Sequence, residues 1–97
     1  MEKNVGYTLC YEADMKALFQ LLLARKKDLV EVHKLLGRMF NCIYYRRRLA
    51  KAETPEGESQ DRWGIEEADN ELRSLMSAWG LYDGDKALIW SLVFRSV

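Results

Sequence analysis

The feature that most constrains the fold is a long stretch of sequence without helix breakers. No Gly or Pro occurs between Tyr7 and Leu36, and none occurs again from Arg38 to Thr54. The range 11–52 is therefore predicted to be helical. Apolar residues recur there along one helical stripe, formed by Leu18, Leu22, Leu29, Val32, Leu36, Met39, Phe40 and Ile43, with Met15 at its edge. The stripe stays in phase throughout, which favours one helix roughly 60 Å long.

A second interpretation has the same stretch bent near residues 27–28. Asp28 followed by Glu31 has the spacing of a capping box, which would start a new helix there. A helix of about 60 Å is long beside a compact domain of this size, whose radius of gyration is ~12.5 Å. The continuous helix would therefore need a second copy or another protein to cover it. The bent form would instead close as a monomeric bundle.

The rest of the chain is predicted to supply a linker and two shorter helices. The polar range 53–62 holds the only proline and is predicted to be a mobile linker. A second helix is expected from about Trp63 to Trp79, with a glycine placed to end it. We expect a third helix over 86–97, where a strand is the alternative. The predicted fold class is mainly α: a single domain over 1–97, with one long N-terminal helix, two shorter C-terminal helices and a short extended N-terminus.

Charge is divided between two parts of the chain, although the formal net charge is zero. Basic residues dominate the range 25–51 and acidic residues dominate 53–71. On the predicted first helix, a basic stripe lies opposite the apolar face, close to Asn41. The basic stripe consists of Lys27, Lys34, Arg38, Tyr45, Arg48 and Lys51. It is the predicted partner-binding site; the alternatives are an ordinary solvated face and neutralisation by the acidic segment. Arg47 falls on the apolar side, where it is expected to snorkel or to pair internally.

The predicted function is non-enzymatic binding of another protein through the basic stripe, with a homodimer as a further option. Nucleic acid is the alternative partner, because Lys and Arg neutralise phosphates and tyrosines stack on bases. An exposed aromatic residue beside the stripe would mark a partner surface. The aromatic residues in question are Trp63, Trp79, Tyr82, Trp90 and Phe94. By size and type, and by no motif, the chain is similar to small phage-encoded proteins that inhibit a host complex by occupying a surface, as an inhibitor or adaptor.

Catalytic, metal and membrane functions are not predicted. His33 is the only histidine, and no partner is evident for it in a nucleophile–base arrangement. Cys10, Cys42 and His33 lack the close paired spacing of zinc ligands. The Asp-Gly-Asp turn at 83–85 lacks the later ligands of a calcium loop. No cofactor is expected.

The longest apolar run falls short of the ~20 residues that span a bilayer. Low cysteine content and the lack of a leader indicate a cytoplasmic protein.

Overall fold

The structure, a computed structural model, describes residues 12–97 as four α-helices. They are α1 (Glu12–Ala24), α2 (Leu29–Ala50), α3 (Pro55–Ala78) and α4 (Asp83–Arg95). The short connection after α2 folds α3 back against it, and this pair has the most extensive contact. Helix α4 packs on α2 and on α1. The mainly α class is confirmed as a helical bundle, while the predicted extended N-terminus lies outside the described residues.

The predicted single helix over 11–52 is wrong, because the chain turns between α1 and α2. Lys26 adopts a left-handed backbone conformation with a φ of 56°. Its N–H donates to the carbonyl of Leu23, and the N–H of Lys27 donates to the carbonyl of Leu22, both at 3.0 Å. This pair of hydrogen bonds is the Schellman arrangement, which satisfies the last carbonyls of a helix and sends the chain in a new direction.

Helix α2 then begins with a capping box. The Asp28 side chain accepts a hydrogen bond from the N–H of Glu31 at 2.9 Å. In return, the Glu31 side chain accepts one from the N–H of Asp28 at 3.2 Å. These bonds satisfy backbone donors that have no partner within the helix. The second interpretation of the sequence, a bend near 27–28, is therefore confirmed.

The turn changes which side chains of α2 reach the core. Leu29, predicted to be on the apolar stripe, is 71% exposed, and Val32, Leu36 and Phe40 are only partly buried. The buried side chains of α2 are Met39 and Ile43, as the stripe predicted, together with Leu35 and Cys42. They pack with a core from the other elements, formed by Leu18, Leu21, Leu22, Ala68, Leu72, Met76, Leu81, Ile89, Leu92 and Val93.

Helix α3 begins at Pro55 rather than near Trp63, so most of the predicted linker at 53–62 is helix. The Thr54 side chain accepts a hydrogen bond from the N–H of Gly57 at 3.0 Å and caps the helix. Pro55 suits the first helical position, because its backbone angle is already helical and its missing N–H would have no partner there. Two glutamates of the first turn lie at the positive end of the helix dipole.

Helix α3 ends at Ala78, and the second left-handed residue, Gly80 with a φ of 65°, follows two residues later. The predicted helix near the C-terminus is confirmed as far as Arg95, and the strand alternative over 86–97 is wrong.

The expected internal pairing of Arg47 is also observed, because its guanidinium donates to the carbonyl of Ser96.

Candidate functional site

A surface groove follows the seam between α2 and α3, and we call it the α2–α3 groove. It consists of three adjoining depressions. The first adjoins the seam but is formed by α3 alone, and it is lined by Pro55, Glu56, Ser59, Gln60 and Trp63. The second is lined mainly by Asn41, Tyr45, Trp63, Gly64, Glu67 and Glu71. The third is lined mainly by Lys34, Arg38, Glu67, Asn70 and Glu71. Shared lining residues join the depressions into one groove that extends about 30 Å along α3.

Trp63 is the most unusual side chain in this groove. It is 65% exposed, whereas Trp79 and Trp90 are partly buried against the core. Its neighbours at helical spacing on α3, Gln60 and Glu67, are polar and exposed. Trp63 therefore presents a large apolar ring on an otherwise polar helix face, where its burial by a partner would remove that area from water.

Tyr45 forms the opposite wall of the groove and packs against Gly64. A Cβ atom at Gly64 would lie 2.5 Å from Cδ1 of Tyr45, so only glycine allows this approach of the two helices. The Tyr45 ring also meets the Tyr44 ring edge to face, with centroids 5.2 Å apart. The ring of Tyr45 is consequently held in place, and the groove wall has a defined shape.

The basic stripe predicted from the sequence faces α3 along part of its length. Lys34, Arg38 and Tyr45 line the groove. Arg38 Nε lies 3.6 Å from Glu71 Oε1, and Arg48 Nε lies 3.2 Å from Asp61 Oδ1. These two arginines thus lie within ion-pair distance of carboxylates of the acidic segment, the arrangement that one alternative for the stripe expected.

The remaining members of the stripe lie away from the groove. The Lys27 ammonium is 3.7 Å from Glu31 Oε2 and 4.4 Å from the centroid of the Trp79 ring. Lys51 is at the C-terminal cap of α2, where its N–H donates to the carbonyl of Arg48 at 3.0 Å. The structure therefore brings together three of the six predicted residues as one wall of a groove.

Arg48 shows how the end of the stripe is held. Its guanidinium donates to the Tyr44 hydroxyl at 3.4 Å and lies 5.7 Å from the centroid of the same ring. The hydrogen bond with Tyr44, and then the charge of Asp61, raise the pKa of Arg48. Asp61 is buried, so this arginine provides a nearby positive charge for a carboxylate that has lost most of its water.

The acidic wall of the groove was not predicted as part of the site. Glu67 and Glu71 on α3 face the basic stripe, and Trp63 lies beside them. The available signal was the spacing of Glu56, Gln60, Trp63 and Glu67. If the helix is extended back to the Thr-Pro pair, its period places Trp63 on a polar face. The predicted helix began at Trp63 itself, so this face was not recognised.

A buried polar cluster connects α2 to α3. Arg46 donates two hydrogen bonds to the Asp69 carboxylate, at 2.8 and 2.7 Å, and its guanidinium lies 5.0 Å from the Phe94 ring centroid. Cys42 is fully buried beside this pair. Burial, and then the hydrogen bond and charge of Asp69, raise the pKa of Cys42 to about 12. The cluster is a structural contact between two helices and holds Cys42 as a neutral thiol.

We therefore expect Cys42 to resist alkylation in the folded protein. Iodoacetamide reacts with the thiolate, and both burial and the raised pKa remove thiolate at about pH 8. In a Cys10→Ser variant, modification of Cys42 should be at least ~100-fold slower than in the same variant unfolded in urea. Mass spectrometry of timed samples measures both rates. Comparable rates in the two states would contradict this arrangement.

Two negative observations apply to residues 12–97 alone. No group of three or more His, Cys, Asp or Glu side chains in this part of the chain could hold a metal ion. No helix formed by these residues is both long enough and apolar enough to cross a membrane.

No protein-family model matches this chain, and neither a curated protein nor a solved structure matches it.

Proposed function

We propose that this protein binds a segment of another protein in the α2–α3 groove, with Trp63 as the principal contact. The observation that supports this proposal is the 65% exposure of Trp63 within a groove. Trp is among the residues that contribute most to binding when an interface buries them. Its apolar area stabilises a complex by about 25 cal/mol for each Å² removed from water. An inhibitor or adaptor that works by occupying a surface would need binding of this kind.

The groove favours a partner segment that carries a Lys or Arg side chain. The rings of Trp63 and Tyr45 and the carboxylate of Glu67 line one depression of about 240 Å³. A cation over an aromatic ring contributes about 0.5–2 kcal/mol, and the carboxylate adds an opposite charge. Glu71 is already engaged by Arg38, whereas Glu67 forms no ion pair within residues 12–97.

Nucleic-acid binding by the basic stripe has less support. Arg38 and Arg48 lie within ion-pair distance of carboxylates on α3, so less of their charge is left for phosphates. Glu67 and Glu71 on the facing wall would also repel a phosphate backbone. A titration with short peptides and with a DNA duplex can compare a protein partner with a nucleic-acid partner.

Capped tripeptides provide a direct test of the groove. The indole N–H signal of Trp63, assigned with a Trp63→Phe variant, is followed in ¹⁵N-labelled full-length protein. Capped Leu-Arg-Leu should shift this signal at millimolar concentration, because its cation can lie over the ring beside Glu67. Capped Leu-Glu-Leu should not shift it. A signal that responds to neither peptide would contradict the proposal.

Matched charge variants separate the groove from general attraction to an acidic protein. Glu67→Gln should weaken the binding of Leu-Arg-Leu about 3- to 10-fold, because it removes the charge in the depression. Glu66→Gln removes the same charge from the neighbouring position on α3 and should leave the affinity within about twofold. Equal losses in the two variants would argue against the site. A short DNA duplex that shifts the Trp63 signal where Leu-Arg-Leu does not would support nucleic-acid binding instead.

A further inference from the structure

A second surface has exposed apolar side chains that the core does not use. Leu23 at the end of α1 is 76% exposed, and Leu29 and Val30 at the start of α2 are 71% and 72% exposed. These residues flank the α1–α2 turn, and Phe19 lies one helical turn before Leu23 and is also exposed. Isolated exposed apolar residues are common, but several around one turn indicate a contact surface.

Most of the charges at this turn are already paired. Arg25 Nη2 lies 2.6 Å from Asp85 Oδ2, and Lys27 lies near Glu31. Asp28 and Glu31 also form the capping box. Lys26 is exposed and forms no ion pair within residues 12–97. Within residues 12–97, the turn therefore presents one cation without an ion-pair partner, in a segment that also carries exposed apolar side chains.

These features match the chemistry of the α2–α3 groove, which combines an exposed Trp63 ring with Glu67, a carboxylate that forms no ion pair within residues 12–97. The two surfaces cannot meet within one molecule, because Val30 and Tyr45 are about 22 Å apart along α2. Nor does the turn favour a symmetric contact with itself, because a twofold axis there would bring Lys26 close to its own copy. The complementary surface is the groove of another molecule.

We infer that the α1–α2 turn of one copy docks beside Trp63 in the α2–α3 groove of a second copy. Lys26 supplies the cation for Trp63 and Glu67, while Leu29 and Val30 lie against Pro55 and the Trp63 ring, the two apolar side chains of the first depression. This inference rests on the proposed function, since it names the occupant of the same groove. The contact joins two different surfaces, so a pair of copies leaves one turn and one groove in total for further copies. The wild-type protein should consequently associate head to tail as its concentration rises.

Two variants, each lacking one surface, test this arrangement. The groove variant carries Trp63→Ala and Glu67→Lys, and the turn variant carries Lys26→Glu and Leu29→Glu. All four positions are exposed, so both variants should keep the urea midpoint of the wild type. By sedimentation equilibrium, each variant alone should remain at the 11.4 kDa of one chain. An equimolar mixture should form a dimer of twice that mass, because one intact groove meets one intact turn.

Several outcomes would overturn the inference. The inference fails if the wild-type protein stays monomeric up to about millimolar concentration. It also fails if the mixture of the two variants shows no mass above that of one chain. A groove variant that associates like the wild type would place the contact elsewhere. If the mixture stays monomeric while Leu-Arg-Leu still shifts the Trp63 signal, the head-to-tail contact fails and the proposed function stands.

Discussion

Replacing Asp69 with alanine is expected to lower the free energy of unfolding by about 3–5 kcal/mol. The Asp69 carboxylate accepts two hydrogen bonds from the Arg46 guanidinium, at 2.8 and 2.7 Å. Only 17% of the Arg46 side chain and 10% of the Asp69 side chain are exposed. Alanine would remove the carboxylate and leave the guanidinium charge without its partner in a largely buried position. Urea denaturation of the wild type and of Asp69→Ala measures the difference.

A double variant tests whether the loss of stability in Asp69→Ala comes from the unpaired charge of Arg46. Arg46→Met combined with Asp69→Leu removes both charges and fills the space with apolar side chains. It should be more stable than Asp69→Ala alone, because no unpaired charge stays buried. A double variant that unfolds at lower urea than the single variant would show that Asp69 stabilises the fold by another route.

The effect of Asp69 should also depend on pH. Burial acts to raise the pKa of Asp69, but hydrogen bonds from Arg46 and Cys42, with the Arg46 charge, lower it overall. Since the folded pKa lies below the unfolded value of ~3.9, the contribution to stability is fully present above that value and is lost as pH falls through the folded pKa. The stability difference between wild type and Asp69→Ala should therefore be constant near neutral pH and shrink below about pH 4.

The second large effect is expected from Gly64→Ala, which should lower the free energy of unfolding by about 1–3 kcal/mol. The new Cβ would lie 2.5 Å from Cδ1 and 2.6 Å from Cε1 of Tyr45. To relieve this overlap, the whole Tyr45 ring would have to shift, and the contact between α2 and α3 would shift with it. This penalty outweighs the ~0.5–1 kcal/mol that alanine usually gains over glycine inside a helix.

Gly37 provides the matched control, because it also lies inside a helix but has open space around it. A Cβ at Gly37 would meet nothing within 4 Å. Gly37→Ala should therefore raise stability by about 0.5–1 kcal/mol, opposite in sign to Gly64→Ala. In a Tyr45→Ala background, Gly64→Ala should lose its penalty. Two glycine variants that stabilise equally would refute the close packing of Gly64 on Tyr45.

The bend after α1 shows where local sequence reasoning reaches its limit. The Asp28–Glu31 capping box was visible and marked the start of α2 correctly. The end of α1 was not visible, because a lysine occupies the left-handed position that glycine usually takes, as Gly80 does after α3. The stripe also continued in phase across the turn, and so predicted burial for Leu29. Packing of α1 and α2 as separate helices decides which faces are covered.

The start of α3 was a different kind of error, since its signals are local. Thr54 followed by Pro55 is a cap and a first-turn residue, but the accompanying Gly and acidic residues resembled a linker. Correct placement of this start would also have assigned Trp63 to a polar helix face. The exposed ring at the centre of the candidate site was therefore within reach of the sequence.

Local patterns were sufficient for the helical class and favoured a helix near the C-terminus, because helix period and capping act over a few residues. The pairing of charges was decided by tertiary structure. Whether Arg38 and Arg48 face water or carboxylates depends on how α3 lies against α2, and Gly64 and Tyr45 set that approach. An ion pair requires two groups within a few ångströms, and residues distant in sequence reach that separation only when helices pack.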